Sequence, residues 1–233
     1  MGSGSGVAAV SRPRLLDLFA GAQGAGVGYA RAGFEVHAVD VVAHARRPEV
    51  ASFVVADALE VLADVGFCRS FDVVHASPPC HDHSALAAET GLDGTGHILG
   101  DTLKALRSIG VPWVVENVEG SPLGGELMLC GSMFGLGATC RDGVWRQLRR
   151  HRLFASSEWL MGPGRCSHRV GPVGVYGTGG GGQMTRGYKG TLAESRAAMG
   201  CPWMTRVEVS QAIPPAYTAW VGEQLLERMA VAS

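Results

Sequence analysis

The sequence predicts an α/β fold built on a mostly parallel, doubly wound sheet, with a small loop-rich insert towards its C-terminal end. Three observations carry this. Short apolar runs alternate with glycine-rich or helix-like stretches across the first half, the pattern of strands joined by crossover helices. The ends of successive runs collect Phe19, Asp40, Asp57, Cys80 and Glu116 on one rim, the carboxyl edge where open α/β sheets bind ligands. Between Ala155 and about Arg196 the periodicity fades, and Gly162, Pro163, Gly164, Gly171, Pro172 and the glycines 179–182 punctuate the chain.

Arg14 to Phe19 (RLLDLF) reads as the first strand. A glycine-rich turn from Gly21 to Gly28 then leads into a helix ending near Gly33. Glu35 to Val39 forms a second strand closed by Asp40, and Ser52 to Val55 a third, followed by Asp57 and a helix through Asp64. Phe71 to Ala76 is a fourth strand, stopped by Pro78 and Pro79. Pro112 to Val115 is a fifth, with Glu116 and Asn117 at its carboxyl end. Pro214 to Met229 carries apolar residues at helical spacing behind a Pro-Pro start, and reads as a closing helix.

With 233 residues the chain holds one sizeable core. Its 46% hydrophobic and 18% charged residues suit a globular protein, and the 34 glycines follow no repeat, which excludes a fibrous reading. No apolar run reaches the roughly 20 residues of a membrane span, and no secretory signal is recognisable. Six cysteines in such a chain read as free thiols, so a reducing cytosol is the expected compartment. A net charge of −1 does not announce a nucleic-acid binder. Local bias is stronger: Arg141, Arg146, Arg149, Arg150 and Arg152 crowd together, and Arg165, Arg169, Arg186 and Lys189 follow, either as a solvated face or as phosphate contacts.

Three motifs carry chemistry. In the turn from Asp17 to Gly26 (DLFAGAQGAG), glycines permit a sharp bend and close approach of a cofactor, and Asp40 at the next strand end is placed for ribose hydroxyls. Nicotinamide, flavin and S-adenosylmethionine enzymes share such a turn, so it selects none of them. In SPPCHDHS, Cys80 leaves a rigid Pro-Pro corner at a strand end, the setting of an exposed nucleophilic thiol. Adjacent Cys80, His81 and His83 lack ordinary zinc spacing. Glu116 in the segment Glu-Asn-Val is a carboxylate leaving an apolar strand, where burial raises its pKa and equips it to donate a proton.

DLFAGAQGAG, SPPCHDHS, ENV, the pair Arg150-His-Arg152 and Gln211-Ala-Ile-Pro-Pro-Ala-Tyr occur in the order found in cytosine-C5 DNA methyltransferases, and the chain resembles that family over residues 14 to 225. The resemblance implies a Rossmann-like, S-adenosylmethionine-dependent methyltransferase fold. Residues 1–10 are then a flexible leader, 11–154 the catalytic and cofactor domain, 155–196 a reduced target-recognition insert of phage type, and 197–233 a segment returning to the catalytic domain. It also implies a monomer working in the cytosol of a bacterial or phage-infected cell.

By the same resemblance, Cys80 attacks carbon 6 of a cytosine flipped out of DNA, and Glu116 binds the exocyclic amine and protonates N3. Arg152 holds the base carbonyl, Arg150 acts as positioner or thiolate stabiliser, and Asn117 helps hold the active-site loop. Phe19, Ala20, Gly21, Gly24, Val41, Ala58, Pro79, Gln211 and Ala212 line the S-adenosylmethionine site, with Asp40 on the ribose and Asp57 on the adenine amine. Residues from His81 to about Gly100 resemble the family's closing loop, which includes Ser84 as a DNA contact.

Two motif positions depart from the family: Leu148 stands where Gln is usual, with Gln147 adjacent, and Gln211-Ala-Ile replaces Asn-Ala-Val. The short insert leaves Arg165, His168, Arg169, Gln183, Arg186, Tyr188 and Lys189 as the candidates for DNA contact, which implies short or relaxed specificity. Cys166 and His168 suggest zinc, but no second ligand pair has matching spacing, so no metal is expected. The Cys80/Glu116 pair serves equally for another one-carbon group at C5 such as hydroxymethyl, and an RNA cytosine methyltransferase or a non-catalytic DNA-binding relative are further alternatives.

Overall fold

Strands buried on both faces read as near-continuous apolar runs, and such runs form the central strands of the first half of the chain in the computed structural model, which describes residues 11–45, 48, 50–79, 96–123, 127–176 and 188–232. In chain order come β1 (Arg14–Leu18), α1 (Gly24–Ala32), β2 (Glu35–Asp40), β3 (Ser52–Val55), α2 (Ala58–Ala63), α3 (Val65–Cys68), β4 (Val73–Ala76), α4 (Gly96–Ile109) and β5 (Trp113–Val118). Then follow β6 (Leu127–Leu129), β7 (Gly137–Thr139), β8 (Trp145–Gln147), β9 (Arg152–Ser156), β10 (Val173–Gly174), β11 (Tyr188–Lys189), α5 (Leu192–Met199), α6 (Arg206–Gln211) and α7 (Pro215–Ala232). The main sheet has the order β3-β2-β1-β4-β5-β9-β6. Its first five strands are parallel, and β9 runs antiparallel to both β5 and β6.

Alternate residues of each strand feed two cores. On one face Leu15, Val36, Val73 and Val114 pack under α1 and α7 through Ala25, Tyr29, Tyr217 and Val221. On the other, Leu16, Leu18, Val74 and Val115 pack under α2, α3 and α4 through Leu62, Cys68 and Leu106. Each large side chain buried this way contributes roughly 1.5–3 kcal/mol. The closing helix α7 lies on α1 at very short range because a Cβ at Gly28 would collide with Thr218 Oγ1 and the Pro215 carbonyl. Thr218 Oγ1 donates to the Ala25 carbonyl at 2.8 Å across that contact.

Four details differ from the sequence reading. β5 continues through Glu116 and Asn117 to Val118, since β9 pairs with it there (Glu116 opposite Phe154, Asn117 opposite Leu153). The two polar residues therefore sit inside the strand. β4 starts at Val73, because Phe71 packs into the core before the ladder begins. Residues 96–100, read as the end of a loop, form the first turns of α4. Finally, the insert does not fold alone. A third core joins Ala138, Leu148, Val173, Val175, Met199, Met204 and Val209 beneath Ala22, so the lobe draws chain from both sides of residues 155–196.

Candidate active site

Five side chains make a buried polar line across the middle of the sheet. Asp17 in β1 lies opposite His75 in β4, and both are fully buried. Tyr29 Oη is 2.9 Å from His75 Nδ1, and Ser77 Oγ is 2.8 Å from His75 Nε2. Ser77 in turn hydrogen-bonds Glu116. Burial drives the His75 pKa down to about 3, so the imidazole is neutral and has one donor. With the Ser77 hydroxyl donating to Glu116, Nε2–H faces Ser77 Oγ and Nδ1 accepts from Tyr29.

Glu116 is 5% exposed. Burial raises its pKa, while Arg152, Arg150 and the Ser77 hydrogen bond pull the other way. Arg152 Nε stands 2.8 Å from Glu116 Oε1 as an ion pair. The oxygen nevertheless has no aligned hydrogen-bond donor among the described residues, which leaves a buried acceptor ready for a ligand N–H. Asn117 Nδ2 donates to the Pro78 carbonyl at 3.0 Å, and its Oδ1 accepts from the Val118 N–H. Asn117 thus fixes the Pro78-Pro79 corner from which Cys80 departs. Pro79 is half-buried there; Cys80 and Ser84 lie outside the described residues.

Arg150 is tied to the returning segment. Its guanidinium donates to the carbonyls of Ala212 at 3.0 Å and Ser210 at 2.7 Å, while Tyr217 Oη donates to the Arg150 carbonyl at 2.6 Å. Burial lowers its pKa to about 9. Its geometry is that of a positioner of the segment around Gln211 and Ala212.

The neighbouring half of the rim is shaped by backbone. Phe19, Gly21 and Gln23 have φ of 56°, 50° and 69°. Two non-glycine residues held in the left-handed region within one turn mark a strained, over-determined site. Asp40 accepts from the Gly21 N–H at 2.7 Å and the Val42 N–H at 2.8 Å, so the carboxylate locks the turn and keeps lone pairs for a ligand. Val41 beside it is 48% exposed and offers an apolar shelf. Trp203 Nε1 donates to the Ala22 carbonyl at 2.7 Å from the far side. A carboxylate, an apolar shelf and a tight turn fit a nucleoside.

Several candidates have other duties. Gly24 is buried where a Cβ would meet the Ile213 carbonyl at 2.5 Å, so it serves the packing of α1 against the returning segment. Asp57 caps α2, accepting from the Leu59 N–H at 2.7 Å. Ala20 and Ala58 are buried, Ala212 is half-buried and Gln211 is exposed.

A cleft of about 460 Å³ opens beside Arg150 and Arg152, walled by Pro172, Tyr176 and Tyr188 of the lobe. Tyr188 is not a free contact: its hydroxyl donates to Glu194 at 2.7 Å and Arg146 stacks on its ring at 4.1 Å. The arginine cluster is also mostly engaged internally. Arg146 forms a bidentate pair with Asp142, and Arg149 donates to the carbonyls of His168 and Val170. Arg141, Arg165, His168, Arg169 and Lys189 are exposed. Gln183 and Arg186 lie outside the described residues. Sequence reasoning missed Tyr29, His75, Ser77 and Trp203. A histidine inside the apolar run FDVVHA was the one available signal.

No family model and no curated protein matches the chain. Among solved structures it is similar to the Dnmt2 methyltransferase of S. pombe, at 12% identity over 94% of this chain and 99% of that one, with a TM-score of 0.61. It is likewise similar to the methyltransferase EhMeth of Entamoeba histolytica, at 12% identity over the same shares, with a TM-score of 0.55. A prophage-encoded protein of E. coli, named for DNA modification methyltransferase activity, gives 22% identity and a TM-score of 0.43; the match covers 61% of this chain and 45% of that one. The first two likenesses show the fold: a mixed α/β chain with the mostly parallel sheet of these methyltransferases.

Proposed function

We propose that the protein is an S-adenosylmethionine-dependent DNA cytosine-C5 methyltransferase. The observation that carries the reading is the buried Glu116, paired with Arg152 and braced by Ser77, one residue from the Asn117 that holds the Pro78-Pro79 corner before Cys80. A buried acid of raised pKa and a cysteine following the Pro78-Pro79 corner in sequence are the equipment for adding a nucleophile to a pyrimidine ring. The order of motifs along the chain supports the same reading.

Phe19, Gly21, Asp40 and Val41 would hold the cofactor, with Asp40 on its ribose. When bound, S-adenosylmethionine supplies an electrophilic methyl group. The Cys80 thiolate adds to C6 of the flipped base while Glu116 gives its proton to N3, so the electron pair reaching C5 forms on a neutral ring. Arg152 keeps the base carbonyl in place, and Glu116 accepts from the exocyclic amine. After C5 has taken the methyl group, its proton leaves to water, N3 returns its proton to Glu116 and Cys80 departs from C6, restoring the neutral aromatic ring, the acid and the thiolate. Arg150, tied to the carbonyls of Ser210 and Ala212, keeps the returning segment against the cofactor side.

The test is mass spectrometry of nucleosides from DNA incubated with purified protein and S-adenosylmethionine, with Cys80→Ala and an RNA substrate alongside. 5-Methylcytosine in DNA alone, absent with Cys80→Ala, is the expected result. Label in RNA alone moves the substrate class. A Cys80 adduct on 5-fluorocytosine DNA without any methylated product means that the donor is another one-carbon compound.

A further inference from the structure

We propose that the protein carries a structural zinc ion bound by Cys130, His151, Cys166 and His168. Their four ligand atoms all lie within 4.8 Å of one another. Cys166 Sγ is 3.4 Å from His151 Nε2 and 2.8 Å from His168 Nε2, and Cys130 Sγ is 3.4 Å from His168 Nε2. A tetrahedral zinc with Zn–S of about 2.3 Å and Zn–N of about 2.0 Å spaces its ligand atoms roughly 3.3–3.8 Å apart, so a small shift of side chains admits the ion. Cysteine and histidine select a soft or borderline metal over calcium or magnesium. Four protein ligands leave no open position, which makes the site structural and not hydrolytic.

The surroundings are those of a metal centre. His151 turns Nε2 to the cluster and Nδ1 to Glu119 Oε2 at 2.8 Å, the carboxylate partner that fixes the tautomer of a ligating histidine. Two thiolates balance the charge of the dication. Ser132 Oγ lies 3.3 Å from Cys130 Sγ and 3.4 Å from Cys166 Sγ, and it accepts from the Ser167 N–H at 3.1 Å. Gln147 Nε2 donates to the Ser167 carbonyl, and Arg149 to that of His168, fixing the loop that brings the second pair of ligands.

The ligands come from separate segments: the end of β6, the entry to β9, and the lobe loop. Leu129 and Arg152 are paired across the β6–β9 ladder, so Cys130 and His151 are the next residues outward on the two strands. The ion would staple the lobe loop to the strand that presents Arg152 to Glu116. Sequence spacing hid the site because the partners of Cys166 and His168 lie on two different strands.

The experiment uses untagged full-length protein purified in reductant, with metal content read by plasma mass spectrometry. About one zinc per chain is expected, and cobalt substitution should give the visible spectrum of a tetrahedral thiolate site. His168→Gln, an exposed position that leaves the fold intact, should weaken zinc at least tenfold; Glu119→Gln should weaken it about 10- to 100-fold. Arg165→Ala should keep the metal. Chelation should make Cys130 and Cys166 reactive to alkylation in the native protein. A protein that holds no zinc and takes up no cobalt, a Cys130–Cys166 disulfide found instead, or metal retained unchanged in both His168→Gln and Cys166→Ser overturns the proposal.

Discussion

Replacing Asp17 by Asn tests the buried polar line through the pH dependence of stability. Asp17 is fully buried, and the backbone N–H of Gly26 is the one donor facing its carboxylate among the described residues. Burial, reinforced by the charge of Asp40, raises its pKa from 3.8 to about 8. Between these values the folded protein keeps a proton that the unfolded chain releases. Stability therefore falls as pH rises, by about 1.4 kcal/mol per pH unit, and levels off above the folded value. His75 acts in the opposite sense: its pKa is lowered from 6.5 to about 3, so its contribution grows as pH rises to 6.5 and is constant beyond. The two slopes offset each other below pH 6.5. From pH 6.5 to 8 the Asp17 slope stands without that opposition, and one and a half pH units amount to about 2 kcal/mol. Arg150, at about 9, and Cys201, at about 12, titrate above the window. Urea unfolding at several pH values across 6.5–8 should show the loss in the wild-type protein. In Asp17→Asn, which keeps the shape and cannot ionise, the slope should flatten. A wild-type stability that is level over this window refutes the reasoning, as does an Asp17→Asn profile with the wild-type slope.

Asn117→Ala leaves the buried Pro78 carbonyl without its donor, so unfolding experiments should show a loss of about 1–3 kcal/mol; on the proposed reading, methyl transfer falls while DNA affinity holds. Gly28→Ala forces α7 off α1 and should cost about 1–3 kcal/mol, read as a lower urea midpoint at unchanged m-value. Gly21→Ala meets open space but sits at φ of 50°, so it should cost about 1 kcal/mol and act mainly on cofactor affinity, measured by calorimetry. Arg150→Met removes both donors to the Ser210 and Ala212 carbonyls and should weaken S-adenosylmethionine about tenfold, with trapping of 5-fluorocytosine DNA retained.

The parallel strands were legible as short apolar runs, and the third, Ser52–Val55, is read to the residue although it is a half-exposed edge strand. The fifth strand, β5, was cut short at Val115 because Glu116 and Asn117 break the apolar run, although the ladder with β9 continues through them. Gly24 and Asp57 show the corresponding limit for site residues. A glycine-rich turn and a strand-end acid were recognisable, but whether each faces a ligand or a neighbouring helix depends on α7 and α2, which the local pattern does not contain. Tyr29, His75 and Ser77 were illegible for a further reason. Each is unremarkable alone, and only the β1–β4 and β4–β5 registers and the packing of α1 bring them together with Asp17 and Glu116.

The entry to β9 shows why motif spelling underdetermines roles. Three consecutive side chains leave it in three directions: Arg150 to the carbonyls of the returning segment, His151 to Glu119 and the lobe cysteine, Arg152 to Glu116. Arg150 and Arg152 carry the same charge and are two residues apart, yet one is held on neutral carbonyls and the other on a buried carboxylate. Removing Arg152 would leave the Glu116 charge unpaired in the interior, which costs more than losing the carbonyl contacts of Arg150. Because His151 lies between them, anything that fixes its ring also fixes the backbone from which both arginines project. Loosening that ring by Glu119→Gln should therefore disturb the Arg152–Glu116 pair without touching either residue, and a change in the pH dependence of adduct formation on 5-fluorocytosine DNA is where it should be visible. An Arg152 that holds Glu116 independently of His151 would leave that profile unmoved.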